Sequence, residues 1–169
     1  MTDELARGRF LRLVRRDGWE WAERTNVTGV VVIVAQTPNN AVLLVEQPRI
    51  PVGAPVIEFP AGLAGDVDAT EALATAAARE LEEETGFAAE TMIRVTEGPV
   101  SAGMSSESLT FFVAKGLKRV GPGGGDGSER ITVHAIPRDE VDAWLVARQA
   151  EGTLVDPKVY AGLYFLDRA

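Results

Sequence analysis

The residues with the clearest chemical potential are five glutamates on one predicted helix, Ala69–Gly86, where Arg79 is the only cation. Residues three or four apart share a helix face, so Glu80, Glu83 and Glu84 are neighbours within about one and a half turns. Like charges at this spacing destabilise a helix. A solvated acidic face is one interpretation. The other is a hard divalent cation held by carboxylate oxygens, with Mg²⁺ the ion that commonly serves phosphate substrates.

The spacing around these glutamates carries more information than their number. Residues 65–87 read GDVDATEALATAAARELEEETGF. This stretch resembles the Nudix box, G-x5-E-x7-R-E-U-x-E-E-x-G-U, in which U is a bulky aliphatic or aromatic residue, and every fixed position matches. The resemblance implies a hydrolase that cleaves a phosphate–phosphate bond with a divalent cation, expected to be Mg²⁺, with Mn²⁺ as an alternative.

The resemblance also implies roles for individual residues. Metal ligands would be three glutamates and one backbone carbonyl: Glu80, Glu83, Glu84 and Ala61. Glu71 and Arg79 would pair and orient the ligating carboxylates, which is a supporting task in metal sites. Gly65 and Gly86 would form the backbone turns at the two ends. Leu81 and Phe87 would anchor the helix to a sheet.

The flanking sequence resembles one branch of the superfamily, the ADP-ribose and nucleoside diphosphate sugar pyrophosphatases. The segments VEQPR (45–49) and EFPAG (58–62) carry this likeness. It implies substrate contacts from Arg49, Glu58, Trp19 and Met104. Arg suits bidentate phosphate recognition, although a surface ion pair would also explain Arg49. Trp19 or Trp21 would stack on the base, and packing in the core or at a dimer interface is the alternative.

The catalytic base has two loop candidates besides Glu83, which we expect to be catalytic as well as ligating. Glu129 follows the glycine-rich segment 121–127, predicted to be a flexible loop. It resembles the glutamate of the family's E-x-I-x-V-H stretch. Glu107, in SAGMSSE (101–107), is the competing choice. A mobile loop can close a carboxylate over bound substrate. His134, the only histidine, is expected to be structural.

Composition limits the partners. The chain has 169 residues, a formal net charge of −8 and no cysteine. Such a charge disfavours nucleic-acid binding, and thiolate chemistry is excluded. The sequence shows neither a membrane span nor a signal peptide. We therefore expect a cytoplasmic protein whose partners are a nucleotide-sugar substrate and a second copy of itself, with no nucleic acid and no membrane.

The order of predicted elements is strands, one helix, more strands and two helices. Asp68 and Glu71 predict a capping box for the first helix, and Pro157 marks the start of the last helix. The fold class is α+β, a Nudix-type α/β/α sandwich with a mixed sheet and a small N-terminal antiparallel sheet. Residues 1–26 are predicted to form a dimerising β-hairpin, and residues 27–169 the hydrolase domain.

The expected reaction is hydrolysis of ADP-ribose to AMP and ribose 5-phosphate. One departure from the branch matters, because Ala102 stands where ADP-ribose enzymes usually have proline. GDP-mannose or another nucleotide sugar is therefore an alternative substrate, and (d)NTP house-cleaning is a further one. A ligand-sensing domain without activity is disfavoured by the intact glutamates.

Overall fold

The computed structural model of the protein describes residues 1–66, 68–125, 127 and 130–168. Its strands and helices occur in the predicted order, except that a short strand, β13, lies between the last two helices. They are β1 (Asp3–Arg7), β2 (Leu11–Arg16), β3 (Trp19–Arg24), β4 (Gly29–Gln36), β5 (Ala41–Arg49), β6 (Ala54–Glu58), β7 (Ala61–Ala64), α1 (Leu73–Thr85), β8 (Phe87–Ala88), β9 (Thr91–Pro99), β10 (Ser108–Lys115), β11 (Lys118–Arg119), β12 (Thr132–Pro137), α2 (Val141–Ala150), β13 (Leu154–Val155) and α3 (Pro157–Leu166).

Strand β4 lies at the centre of a mixed sheet. Its sequence, GVVVIVAQ, is a continuous apolar run, which is typical of a strand covered on both faces. It pairs in parallel with β10 and antiparallel with β7. Strand β5 pairs antiparallel with β6 and with β12. The sheet therefore combines both strand directions, as predicted.

Helices cover both faces of this sheet. On one face, Val32 and Val34 of β4 pack with α2 and α3 through residues such as Leu145 and Val159. On the other face, Val31 and Ile33 pack with Ala76, Ala77 and Leu81 of α1. The predicted α/β/α sandwich is confirmed. No helix in the described parts of the chain is long and apolar enough to cross a membrane.

The N-terminal residues form a separate three-stranded antiparallel sheet, β1-β2-β3. A turn at Asp17-Gly18 joins β2 to β3, and both residues have positive φ, 50° and 84°. That conformation suits a tight hairpin and favours glycine. The small N-terminal antiparallel sheet is confirmed, but β1 is an additional strand that its mostly polar sequence, DELAR, did not indicate.

The predicted start of the first helix is wrong. Helix α1 begins at Leu73, and its N-cap residue, Ala72, makes no capping bond through its side chain. The Asp68 carboxylate instead accepts hydrogen bonds from the Thr70 amide and hydroxyl, at 2.9 and 2.7 Å. Aspartate commonly competes with helix formation in this way, by closing a local turn. Glu71 is bound elsewhere, to Arg79.

Candidate active site

Helix α1 presents Glu80 and Glu84 to strand β7. The helix is held to the sheet by Leu81, which is fully buried. Glu84 is 2% exposed, and its Oε2 atom accepts a hydrogen bond of 3.1 Å from the Ala61 amide. The Glu80 carboxyl lies directly against the Cα atom of Gly62, in the space that any side chain at position 62 would fill. Two of the predicted ligands therefore meet the backbone of segment 61–62.

Arg79 contacts three glutamates of the motif, Glu71, Glu80 and Glu83. Its Nε and Nη2 atoms donate to the two carboxylate oxygens of Glu71, at 3.1 and 3.2 Å. Its Nη1 atom lies 2.9 Å from Glu80 Oε1 and 3.1 Å from Glu83 Oε2. Nη2 also donates to the Leu63 carbonyl. The predicted pairing of Glu71 with Arg79 is present, and the same guanidinium joins Glu80 to Glu83.

The surroundings of Glu71 and Glu80 shift the pKa values of these two carboxyl groups in opposite directions. The hydrogen bond from Arg79 lowers the pKa of Glu71. Burial raises the pKa of Glu80 and outweighs the attraction of Arg79. The carboxylates around Arg79 in turn raise its own pKa, with Glu71 the largest cause. Without a cation, the charged form of Glu80 is therefore partly desolvated at an energetic cost.

The donor set fits a hard cation in chemistry. In the described part of the chain, no three acidic or histidine side chains converge on a single point. Arg79 accounts for this arrangement, because it binds Glu80 and Glu83 where a cation would compete for the same oxygens. Gly62 leaves room for the Glu80 carboxyl beside the backbone of β7. Carboxylate and carbonyl oxygens in this neighbourhood are the ligands that Mg²⁺ prefers.

Arg49 and Glu58 form an ion pair rather than two separate contacts. Arg49 Nε lies 2.7 Å from Glu58 Oε2. The glutamate side chain is 9% exposed, while the arginine side chain is 42% exposed. Strand alternation places both residues on the sheet face that α1 covers, since Glu58 is paired with Val45 and Arg49 lies four residues after Val45. A nearly buried carboxylate thus holds an arginine that remains accessible.

The tryptophans of β3 line a groove beside the loop that contains residues 101–106. The groove has a volume of about 610 Å³, and its walls include Arg16, Trp19, Trp21 and Ser105. Trp19 is 65% exposed, whereas the Trp21 indole donates to Glu23 at 2.8 Å. Met104 is 70% exposed, and its carbonyl accepts a hydrogen bond from the Ala22 amide. None of the described residues of the 65–87 motif lines this groove.

Of the two loop candidates for the catalytic base, the structure describes Glu107 but not Glu129. Glu107 forms an ion pair with Arg24 of β3, so its carboxylate is occupied. Glu129 lies outside the described residues. Sequence reasoning missed Arg24, because a cross-strand arginine has no motif signal. It also gave no role to Gly62, although the glycine follows Pro60-Ala61 in a recognised segment.

His134 belongs to a separate polar cluster on the opposite side of the sheet. Its Nε2 atom lies 2.9 Å from Glu46 Oε2, and Arg148 binds both oxygens of Glu46, at 3.0 and 2.9 Å. The His134 ring also contacts Trp144, with 4.9 Å between the centroids. These contacts join β5 and β12 to α2, which agrees with the predicted structural role of His134.

The sandwich fold and the packing of the acidic helix α1 against β7 define a class of hydrolase. In this class the carboxylates lie close together on one stretch of helix. A NUDIX domain model matches residues 25–156. The chain therefore belongs to the Nudix family, as its motif predicted.

Several relatives resemble most of the chain. The methanol dehydrogenase activator of Bacillus methanolicus is 30% identical, covering 98% of this chain and 89% of its own length. The ADP-sugar pyrophosphatase of Mus musculus is 35% identical, covering 85% and 71%. The ADP-ribose pyrophosphatase of Bacillus subtilis is 34% identical over 53% and 46%. A solved ADP compounds hydrolase, 18% identical, superposes with a TM-score of 0.73 over 99% of this chain and 90% of its own, which shows the shared fold. The predicted resemblance to the pyrophosphatase branch is confirmed.

Proposed function

We propose that this Nudix hydrolase cleaves the diphosphate bond of a nucleoside diphosphate sugar, converting ADP-ribose to AMP and ribose 5-phosphate. The observation that carries the proposal is the placement of Glu80, Glu83 and Glu84 on one stretch of α1, with Glu80 and Glu84 against the backbone of β7. Relatives named as ADP-sugar and ADP-ribose pyrophosphatases support the substrate class.

In this proposal Glu80, Glu83, Glu84 and the Ala61 carbonyl hold Mg²⁺, and Mn²⁺ can substitute. The bound cation neutralises phosphate charge and lowers the pKa of water, which is why this donor set suits diphosphate hydrolysis. Glu71 binds the Nε and Nη2 atoms of Arg79. This contact limits how far the guanidinium can move with Glu80 and Glu83. Gly65 and Gly86, with positive φ of 83° and 74°, supply the turns at the two ends of the motif.

Arg49 is proposed to bind the substrate's phosphate or ribose. Glu58 uses one oxygen to hold Arg49 Nε, and the remaining guanidinium nitrogens are the donors that match a phosphate fork. Glu58 therefore acts on substrate through Arg49 as well as by any contact of its own. Trp19 and Met104 are proposed to contact the nucleoside, because Trp19 presents an exposed indole to the groove beside the loop that carries Met104.

Glu129 is the preferred base, and Glu107 is the alternative. Before it could accept a proton from water, Glu107 would have to leave Arg24, to which it is bound. That requirement adds an energetic cost to a catalytic role of Glu107. Glu83 contributes as a ligand at the same centre.

The proposed substrate is tested by a panel assayed with Mg²⁺: ADP-ribose, GDP-mannose, other nucleotide sugars, dinucleoside polyphosphates and dNTPs, with products identified by mass. We expect ADP-ribose to give the highest kcat/KM. GDP-mannose is the second candidate, because Ala102 replaces the proline usual in ADP-ribose enzymes. Preferential dNTP hydrolysis would refute the proposal. Reaction in ¹⁸O-water then identifies the phosphorus that is attacked.

The proposed partner is a second copy of the chain, joined through the sheet β1–β3. Several apolar side chains of this sheet and its loops are exposed, namely Leu5, Phe10, Leu11 and Leu13. A small sheet with such a surface gains stability by burying it. A cytoplasmic location remains a prediction of the sequence.

A further inference from the structure

The glycine-rich segment Gly121–Gly125 is bound to the last turn of α1. The Gly124 amide donates to the Glu84 carbonyl at 2.8 Å, and the Gly125 amide donates to the Glu83 carbonyl at 3.0 Å. Gly86, just after the helix, accepts from the Val120 and Gly121 amides, at 2.8 and 3.1 Å. The last carbonyls of a helix have no partner within it. Here the partners come from the connection between β11 and β12.

The approach is close enough to require glycine at two positions. A Cβ atom on Gly123 would lie 2.7 Å from the Thr85 carbonyl oxygen and 2.8 Å from the Gly86 amide, and it would overlap the Thr85 carbonyl carbon. A Cβ atom on Gly86 would lie 2.7 Å from the Gly121 carbonyl carbon and 2.8 Å from the Gly123 amide. These are backbone atoms, so the overlap cannot be relieved by rotating a side chain. The described part of this loop is therefore docked, where composition alone predicted flexibility.

The two carbonyls that the loop holds belong to Glu83 and Glu84, whose carboxylates we assign to the metal. Helix ends fray readily, and the neighbouring charges of Glu80, Glu83 and Glu84 repel one another before a cation binds. Fraying of this turn would move two proposed ligands at once. Loop docking opposes it by fixing the backbone from which both side chains project.

We propose that segment Gly121–Gly125 is a positioning element for the metal-binding turn of α1, and that Gly123 is a positioning residue. The inference rests on the proposed metal role of Glu83 and Glu84. It gives the loop a role in building the cation site, in addition to its role of connecting β11 to β12. The cation's affinity should then depend on a glycine that lies more than thirty residues from the motif in sequence.

The test compares Gly123→Ala with a control, Gly127→Ala. Both glycines have positive φ, 72° and 90°, so alanine is strained at both positions. A Cβ on Gly123 would clash with the backbone of α1, whereas a Cβ on Gly127 meets no atom of the described residues within 4 Å. We expect Gly123→Ala to weaken Mn²⁺ binding, measured by electron paramagnetic resonance of the free ion, by about tenfold, as when support for ligating residues is lost. It should also lower kcat while leaving the KM for ADP-ribose near the wild-type value. Gly127→Ala should match the wild type.

Equal Mn²⁺ affinities of Gly123→Ala and the wild type would overturn the inference while leaving the proposed function intact. A wild-type protein that binds no Mn²⁺ would instead overturn the proposed function. A measurement on the wild type covers the case in which Gly123→Ala does not fold. The Gly124 and Gly125 amides should exchange slowly with solvent by NMR, and more slowly with Mg²⁺, because metal binding and loop docking stabilise the same turn. Unprotected amides that do not respond to Mg²⁺ would refute the docking role.

Discussion

At the scale of single residues, three consecutive glutamates of α1 have different surroundings. Each residue is turned by about 100° from the one before it. Glu84 is buried against the Ala61 amide, Glu83 contacts Arg79, and the Glu82 side chain is exposed. The sequence EEE alone does not reveal this difference, whereas the motif spacing does.

This difference makes Glu82→Gln a matched control for Glu83→Gln and Glu84→Gln. Losing a ligand removes part of the stabilisation that a cation gives to phosphate charge, which is worth several kcal/mol. We therefore expect kcat to fall by at least about 100-fold in Glu83→Gln and Glu84→Gln. Circular dichroism should show an unchanged fold, and Glu82→Gln should retain activity. Near wild-type turnover by Glu83→Gln and Glu84→Gln would contradict the metal assignment.

Glu80 and Glu71 should respond oppositely to amidation in metal-free protein. Burial raises the pKa of Glu80. Ionisation of Glu80 therefore lowers the stability of the fold as pH rises above the ordinary pKa of glutamate. Arg79 lowers the pKa of Glu71, so the Glu71 carboxylate stabilises the fold at neutral pH and loses that effect as pH falls through its lowered pKa. In EDTA at pH 7.5, Glu80→Gln should have a Tm equal to or above the wild type, and Glu71→Gln a lower one.

Adding Mg²⁺ should change the Tm of Glu71→Gln and Glu80→Gln by different amounts. A ligand that binds only the folded state raises Tm, and the stabilisation grows with the logarithm of 1 + [L]/Kd. We expect Mg²⁺ to raise the Tm of the wild type and of Glu71→Gln, and to have little effect on Glu80→Gln. Calorimetric scans with and without Mg²⁺ check this. A Glu80→Gln protein that is clearly destabilised in EDTA would show that its contact with Arg79 outweighs the cost of burial.

At the scale of elements, loop 101–107 and β3 are joined within the chain. The Ala22 amide donates to the Met104 carbonyl, the Ser106 amide donates to the Ala22 carbonyl at 3.2 Å, and Arg24 is paired with Glu107. A loop fixed at three points is poorly suited to swing a base over substrate. It is better suited to shape the wall of the groove in which Trp19 lies.

Substitution of the two candidate bases tests this distinction. Glu129→Gln should lower kcat by about 10²-fold or more, the usual contribution of a general base, with a smaller effect on KM. Glu107→Gln should act mainly on KM, because it loosens the loop from Arg24. Arg24→Gln is the control, since it breaks the same ion pair and should reproduce the KM effect. A large loss of kcat in Glu107→Gln, but not in Arg24→Gln, would make Glu107 the base.

The elements also show how far the sequence alone reaches. The order of the predicted elements and the 65–87 motif predicted the ligand helix and the sandwich. The start of α1 was mispredicted because Asp68 closes a turn with Thr70, and Glu71 binds Arg79 instead of capping the helix. The docking of Gly121–Gly125 on α1 was also missed, because glycine-rich composition is the same for a flexible loop and for a close backbone contact.

At the scale of the whole molecule, the sheet β1–β3 has one face that the rest of the chain leaves exposed. Val14 is buried, with 1% exposure, and the Val14 side chain points to one face of β2. Leu11 and Leu13 lie at alternate positions and point to the opposite face, with exposures of 48% and 40%. Such a face is a self-complementary contact in the proposed dimer, where each copy offers the same patch.

Leu13→Glu should therefore convert the dimer to a monomer. Sedimentation velocity of the wild type should give twice the chain mass of 18.1 kDa, and Leu13→Glu should sediment at the single-chain mass, because a charge buried at an interface without a partner is costly. Val146→Glu, on α2, is the matched control, since it places the same charge on an apolar residue that is 65% exposed elsewhere. A monomeric wild type would remove the dimer proposal. A Leu13→Glu protein that stays dimeric would move the interface to another surface and leave the exposed leucines of β2 unexplained.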